Sequence, residues 1–219
     1  KKEIDLHASM DFARAVGGDF YDYFLIDGDH LCMVIADVSA KGIPAALFMM
    51  TSKTMIKDYA LTQGSTSEIF TAVNARLCEN NQVGMFATSW IGILDTRTMT
   101  LQYTNAGHNY PMIQRKGKPC EEIKVNHGLF LGGLEFTRYR QDEIQLEPGD
   151  RLLLFTDGVV EAHDRAKNLY GNERLQKVLD DARDCPGEEV LDRIFEDVNV
   201  YATGVPQFDD ITMVILTIK

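Results

Sequence analysis

Short apolar runs with a period of two, separated by turn residues, are the feature that most restricts how this chain can fold. Residues 20–26 and 31–36 flank a turn at 27–30 that contains an Asp-Gly step. Such a step between two strand-like runs is typical of a β-hairpin. Residues 85–94 and 100–104 form a second pair of the same kind. Because the two strands of a hairpin run antiparallel, the sequence predicts antiparallel sheets.

The remaining pattern adds single strands and four helices. Further strands are predicted at 4–12, 110–114, 121–125, 139–146, 151–156 and 211–218. Helices are predicted at 45–60, 69–77, 172–182 and 188–201, where the apolar period is helical. We therefore predict one α+β domain over residues 1–219, with two packed antiparallel β-sheets flanked by α-helices.

The first predicted helix is rich in apolar residues, so its buried side has to be inferred. Ile43, Leu47, Met50 and Thr54 recur at helical spacing and form one stripe. Met49, Ile56 and Ala60 broaden this stripe. A methionine-rich stripe suits either a partner surface or a core face. We predict a packed core face.

Composition excludes several classes of protein. Of the 219 residues, 45% are apolar and 25% are charged, which is typical of a globular domain with a sizeable core. The formal net charge is −11, and the sequence has no basic cluster of the kind that nucleic-acid-binding proteins carry. No apolar run approaches the ~20 residues of a membrane helix. We expect no contact with nucleic acid or membrane by this segment.

The four cysteines are far apart and include no Cys-x-x-Cys pair. This spacing argues against a zinc or redox motif and favours reduced thiols in the cytoplasm. The chain begins on lysine rather than methionine. This start suggests a fragment cut from a longer protein, with processing or numbering as the alternatives.

Four widely separated aspartates, Asp19, Asp37, Asp157 and Asp209, each adjoin the end of a predicted strand. Glycine lies close to three of them. Carboxylates that are brought together raise each other's pKa unless a cation compensates their charge. Oxygen ligands without Cys or His suit Mg²⁺ or Mn²⁺ better than zinc. We therefore predict that these segments form one site for divalent metal.

Two such metals about 3.5–4 Å apart can activate a water and hold a phosphoryl group, so that no covalent nucleophile is required. The sequence has no Gly-x-Ser-x-Gly elbow, no phosphate-binding Gly-x-x-x-x-Gly-Lys-[Ser/Thr] loop and no Cys-x5-Arg loop. The residues alone therefore favour a metal-dependent phosphate-ester hydrolase.

Five motifs occur in a characteristic order: GGDFYD at 17–22, DVSAKG at 37–42, NAGHN at 105–109, FTDGVVEA at 155–162 and DDIT at 209–212. Together they resemble the bacterial serine/threonine phosphatases of sporulation and general stress response, a branch of the metal-dependent type 2C (PPM) phosphatases. The resemblance implies a β-sandwich with a dinuclear Mg²⁺ or Mn²⁺ site. It also implies dephosphorylation of phosphoserine or phosphothreonine on a small regulatory protein, typically an anti-sigma factor antagonist. With this resemblance, we expect the chain to be the catalytic, C-terminal part of a longer regulatory protein.

The resemblance also assigns roles to individual residues. It implies that Asp19 and Asp37 are metal ligands that act in catalysis. The other implied ligands are the carbonyl of Val38, Asp157 and Asp209, with Asp210 as an alternate or outer ligand. Asp22 is expected to ligate through water, and Gly17, Gly18 and Gly158 to allow close backbone approach. Arg14 is either a phosphate contact or a solvated residue.

Two departures from the family pattern affect the site. Ala40 stands where this branch usually has Gly, and Ser39 stands where animal members carry a His proposed to protonate the leaving group. The general acid is therefore unassigned. His108 is one candidate, with a loop-ordering hydrogen bond as the alternative.

Three other readings remain open: a pseudophosphatase that signals without turnover, a structural metal-binding domain, and a phosphoesterase acting on nucleotides. From the family we also expect regulation, because the helices at 45–60 and 69–77 follow the Asp37 loop. Their movement, driven by a second copy or an upstream sensor domain, is expected to reposition Asp37.

Overall fold

A computed structural model describes residues 2–79, 81 and 83–219. Its strands are β1 (Ile4–Asp11), β2 (Phe20–Leu25), β3 (His30–Val38), β4 (Ala87–Asp95), β5 (Thr100–Ala106), β6 (Met112–Gln114), β7 (Cys120–Glu122), β8 (Asp142–Gln145), β9 (Arg151–Phe155) and β10 (Ile211–Ile218). Its helices are α1 (Ile43–Ala60), α2 (Thr66–Glu79), α3 (Asp157–Val160), α4 (Asn172–Asp181) and α5 (Gly187–Tyr201).

The chain divides into two compact units. The first unit comprises Lys1–Arg14, Asn109–Lys124 and Glu147–Lys219. It contains an antiparallel sheet of order β1-β10-β9-β6-β7. Alternate residues of β9 and β10 pack against α4 and α5 in one apolar core that includes Phe155, Ile194 and Met213.

The second unit comprises Ala15–His108 and Val125–Leu146. Its antiparallel sheet has the order β2-β3-β4-β5-β8. Helices α1 and α2 pack on this sheet through a core that includes Val34, Ile56, Ile69 and Ile91.

The predicted α+β class is confirmed, with two antiparallel sheets and flanking helices. Both predicted hairpins form, as β2–β3 and β4–β5. The strands predicted at 121–125 and 139–146 are shorter than expected, as β7 and β8. Helix α3 was not predicted, because four residues are too few to show a helical period. No helix within the described residues is long and apolar enough to span a membrane.

The prediction of a packed core face on α1 was wrong for the main stripe and right for Ile56 and Ala60, two of the residues that broaden it. Ile43, Leu47 and Met50 are 71%, 65% and 55% exposed, and Thr54 is exposed as well. The buried residues of α1 are Ala45 and Ser52, which were not predicted, and Ile56 and Ala60, which were. Small residues allow the helix backbone to approach the sheet closely. Since the first turns of α1 are apolar on every side, the period alone could not identify the inner face.

Candidate metal centre

In the second unit, the β2–β3 hairpin brings two of the predicted ligands to neighbouring strands. Phe20 pairs with Ala36, so Asp19, one residue before β2, and Asp37, near the end of β3, lie at the same end of this strand pair. Asp19 is only 2% exposed, whereas Asp37 is partly exposed. A local hairpin therefore juxtaposes the two acidic segments, as the sequence predicted.

Gly18 allows two backbone segments of the second unit, Gly18-Asp19 and Val38, to lie in direct contact. A Cβ atom on Gly18 would lie 2.9 Å from the carbonyl oxygen of Val38 and 3.4 Å from its Cβ. Real Cβ atoms essentially never approach an oxygen so closely, so only glycine permits this contact without a shift. The Val38 carbonyl consequently lies directly beside the Gly18-Asp19 segment.

The loop after β3 is held to the segment that precedes β4. Ser39 N–H donates to the Phe86 carbonyl (2.8 Å), and Phe86 N–H donates to Ser39 Oγ (2.9 Å). The hydroxyl of Ser39 thus orders the loop. Ala40 and Gly42 adopt positive φ angles of 68° and 86°. Ala40 therefore takes the left-handed conformation that a glycine would adopt more easily.

In the first unit, β9 and β10 bring together the other acidic segments. Thr156 N–H donates to the Thr212 carbonyl (3.0 Å), and Thr212 N–H donates to Thr156 Oγ1 (3.1 Å). These bonds place Asp157 beside the residues that precede β10. A Cβ atom on Gly158 would run into the carbonyl group of Asp210, whose carbon would be 2.9 Å away. The two backbones are therefore in direct contact.

Asp210 and Asp209 have different surroundings. Asp210 is 6% exposed, and its Oδ1 accepts a hydrogen bond of 2.9 Å from the backbone N–H of Ala13. Asp209 is partly exposed, and its Oδ1 accepts from Asp210 N–H (3.0 Å). The carboxylate of Asp210 thus fixes the chain that follows β1. Arg14, the next residue after Ala13, is exposed to solvent.

Asp22, the predicted ligand through water, faces helix α1. One of its oxygens lies 3.7 Å from Lys57 Nζ, and the other accepts a hydrogen bond from Tyr23 N–H (2.9 Å). The structure thus shows an ion pair between β2 and α1 at this position.

His108 is buried within the loop that follows β5. Its Nδ1 lies 2.9 Å from Thr88 Oγ1, and Thr88 is the register partner of Asp37. His108 N–H donates to Asn105 Oδ1 (2.7 Å), and Asn105 Nδ2 donates to the His108 carbonyl (3.0 Å). The Asn105 side chain thus holds the backbone of this loop, and the imidazole of His108 joins the loop to β4 through Thr88. The role of proton donor stays a prediction.

The donor chemistry of both units suits a hard cation. Carboxylates and backbone carbonyls gather at the glycine contacts, and such oxygen ligands are preferred by Mg²⁺ and Mn²⁺. Among the residues that the structure describes, however, no three or more His, Cys, Asp or Glu side chains are grouped so that they could hold a metal ion. The residues therefore fit a divalent metal by the type of their donor atoms and not by a cluster of side chains.

The sequence did not reveal a cavity of about 170 Å³ in the first unit. Its wall is built from residues 158 and 161–163, the C-terminal end of α5 and the loop that leads into β10, and it includes Asp209. Because these segments are far apart in the chain and mostly irregular, no periodic pattern in the sequence predicts the cavity.

The chain has two antiparallel sheets with flanking helices, and its acidic segments meet at glycine contacts beside strand ends. The same fold occurs in the SiaA-PP2C domain of Pseudomonas aeruginosa, with a TM-score of 0.87 and 22% sequence identity. The match covers 98% of this chain and 86% of that one.

The family model described as Stage II sporulation protein E (SpoIIE) matches residues 27–219, and the chain belongs to this family. Protein IcfG of Synechocystis sp. is 33% identical over 97% of this chain and 38% of its own length. Phosphoserine phosphatase RsbU of Bacillus subtilis is 28% identical over 100% of this chain and 64% of its own length. The chain thus spans less than two thirds of either relative. The predicted membership of the sporulation and stress-response branch is confirmed.

Proposed function

We propose that this chain is a protein phosphatase that removes phosphate from phosphoserine or phosphothreonine on a small regulatory protein of the anti-sigma antagonist type. Family membership and the two-sheet fold support the class of reaction. A relative named as a phosphoserine phosphatase aligns over the whole chain. The proposed setting is the cytoplasm, or the cytoplasmic part of a longer protein with a sensor domain.

The proposed cofactors are two divalent cations, Mg²⁺ or Mn²⁺. Asp19, Asp37 and the Val38 carbonyl in the second unit, and Asp157 and Asp209 in the first, are the proposed ligands. When bound, such cations activate a water nucleophile and neutralise charge on the phosphoryl group.

Other residues of the chain position these ligands. Asp210 holds the Ala13 backbone through its Oδ1 and is an alternate ligand. Gly18 and Gly158 let the backbones close. Arg14, exposed and adjacent to Ala13, is proposed to contact the phosphate.

One observation carries the proposal: acidic segments meet at a glycine contact in both units. Gly18 faces the Val38 carbonyl, and Gly158 faces the Asp210 carbonyl. A turn residue or a helix cap needs a single Asp, not paired acidic segments whose backbones only glycine allows to touch. Oxygen donors concentrated in this way are what a hard divalent cation requires.

The decisive experiment is metal-dependent hydrolysis of para-nitrophenyl phosphate, compared between wild type and Asp37→Asn. We expect activity with Mn²⁺ and more than about 100-fold loss in the variant, because losing even an outer partner of a metal ligand costs 10–100-fold. Asp58→Asn, at an exposed position of α1, is the matched control and should retain activity.

Turnover without added metal, or undiminished turnover in Asp37→Asn, would contradict the assignment of the ligands. A wild-type chain that binds Mn²⁺ but releases no phosphate would support the pseudophosphatase reading instead. Phosphorylated candidate antagonists, assayed with and without Mn²⁺, then test the protein substrate.

The regulatory role of α1 and α2 also remains a proposal. Helix α1 starts directly after the loop that contains Ala40 and Gly42, and its exposed residues Ile43, Leu47 and Met50 offer a contact surface. A second copy or an upstream sensor domain is the proposed partner of this surface.

A further inference from the structure

The cavity in the first unit is closed at the bottom by the apolar core. Val198 of α5 and Ile211 of β10 line it and are almost completely buried. Asp209, a proposed metal ligand, belongs to the same wall, as does Gly158. The cavity therefore extends from the core to the acidic segments of this unit.

Two polar side chains of the cavity wall are hydrogen-bonded within that wall. Thr203 Oγ1 donates to the Asn199 carbonyl (3.2 Å), and Gln207 Nε2 donates to the Asp209 carbonyl (2.9 Å). The surface left for a ligand is thus mainly apolar. It is formed by Ala162, Val198, Ala202, Val205, Pro206 and Ile211.

The size of the cavity limits what it can hold. Its volume of about 170 Å³ is close to that of an apolar cavity of about 150 Å³ that binds benzene. Pockets for cofactors and drug-sized ligands are larger, about 300–1,000 Å³. The space therefore suits one branched aliphatic or aromatic side chain.

A cation stands at the edge of the cavity. Gly204 lines the cavity and has a φ of 81°, and a Cβ atom there would lie 2.7 Å from Nε and 2.8 Å from Cζ of Arg165. The guanidinium is thus in contact with the Gly204 backbone, while Arg165 itself is exposed. A guanidinium in this position attracts an anionic segment, above all one that carries phosphate.

We propose that this pocket receives a bulky apolar side chain located within a few residues of the phosphoserine in the protein substrate. The inference rests on the proposed function, since Asp209 links the pocket to the reacting group. Arg165 attracts the negative charge of a phosphorylated segment, and the pocket selects segments that carry a bulky apolar side chain near the phosphoserine.

The test uses phosphoserine peptides that differ only by Leu or Ala at each of the three positions on either side of the phosphoserine. For wild type with Mn²⁺, we expect kcat/KM to be at least about tenfold higher for the best Leu peptide than for its Ala counterpart, the usual discrimination of an apolar pocket. Equilibrium binding of the same peptides, measured by fluorescence anisotropy, should show the same preference without requiring turnover.

Ala202→Phe and Val205→Phe fill the pocket and should bring the Leu/Ala ratio close to one. Val200→Phe, near the C-terminal end of α5 but 68% exposed and outside the lining, should keep the wild-type ratio. A wild-type ratio near one at every position, or a ratio that persists in both filled variants, overturns the proposal. Absence of metal-dependent turnover of para-nitrophenyl phosphate would contradict the proposed function, whereas the binding ratio would still decide whether the pocket selects an apolar residue.

Discussion

In each of the two acidic regions of this chain, a glycine lies against a backbone carbonyl, but the two contacts differ in how close they are. At the β2–β3 end, a Cβ on Gly18 would meet the Val38 carbonyl oxygen at 2.9 Å. At the β9–β10 end, a Cβ on Gly158 would collide with both atoms of the Asp210 carbonyl and lie 3.5 Å from the Asp209 carbonyl carbon. The second contact is tighter and is made mainly by the peptide group that joins Asp210 to Ile211.

The chain that leaves each region differs as well. From Asp37 it passes through Ala40 and Gly42, both with positive φ, into α1. From Asp157 it enters α3 at once, and Glu161 N–H donates to the Asp157 carbonyl (2.7 Å). Backbone packing therefore fixes the acidic segments at the β9–β10 end. At the β2–β3 end, the strained loop that contains Ala40 and Gly42 sets the position of Asp37.

The largest expected effect is a difference in stability between the Ala variants of the two glycines. Gly158→Ala should lower the free energy of unfolding by about 3 kcal/mol and Gly18→Ala by about 1 kcal/mol, within the usual range for overpacking. The reason is that the Asp210 carbonyl must move as a whole, while Val38 has to give way at one oxygen. Chemical denaturation monitored by circular dichroism measures both values.

Gly28→Ala serves as the control, because nothing lies within 4 Å of a Cβ at that turn position. Its stability should stay within about 0.5 kcal/mol of wild type, as for most surface changes. Equal losses for Gly18→Ala and Gly158→Ala would remove the difference between the two regions.

Asp210 tests whether a hydrogen bond also stabilises the β9–β10 end. Asp210→Ala deletes the acceptor of the Ala13 N–H and should cost about 2 kcal/mol, as expected for a hydrogen bond to a charged group. Asp210→Asn keeps an oxygen acceptor and should lose less than half of that. Thermal unfolding of the metal-free proteins distinguishes the two variants. If Asn destabilised as much as Ala, charge rather than the hydrogen bond would be responsible.

Local patterns made most of the fold predictable from the sequence. The β2–β3 register follows from a short turn at 27–30, so the proximity of Asp19 and Asp37 could be inferred from chain neighbours alone. The inner face of α1 could not, because apolar residues surround its first turns. The bond between Ala13 and Asp210 spans 197 positions. A contact of that kind leaves no periodic signal, and neither does a cavity assembled from irregular segments.

The smallest effect concerns the strained loop itself. Ala40→Gly should stabilise the chain by about 1 kcal/mol, since relief of the left-handed conformation (about 1–2 kcal/mol) exceeds the added entropy of the unfolded chain (about 0.4–1 kcal/mol). For a chain of this length, that corresponds to a rise in Tm of roughly 2–4 °C.

Lys167→Gly is the matched control in the first unit, because Lys167 has a φ of 64° in an exposed loop. It should raise Tm by a similar amount. The two variants should differ in Mn²⁺ dependence: Ala40→Gly relaxes the loop next to Asp37 and should shift the Mn²⁺ concentration for half-maximal activity, whereas Lys167→Gly should leave it unchanged. An identical Mn²⁺ dependence in both would mean that the strain at Ala40 does not reach Asp37, and that the β2–β3 end is as firmly fixed as the other.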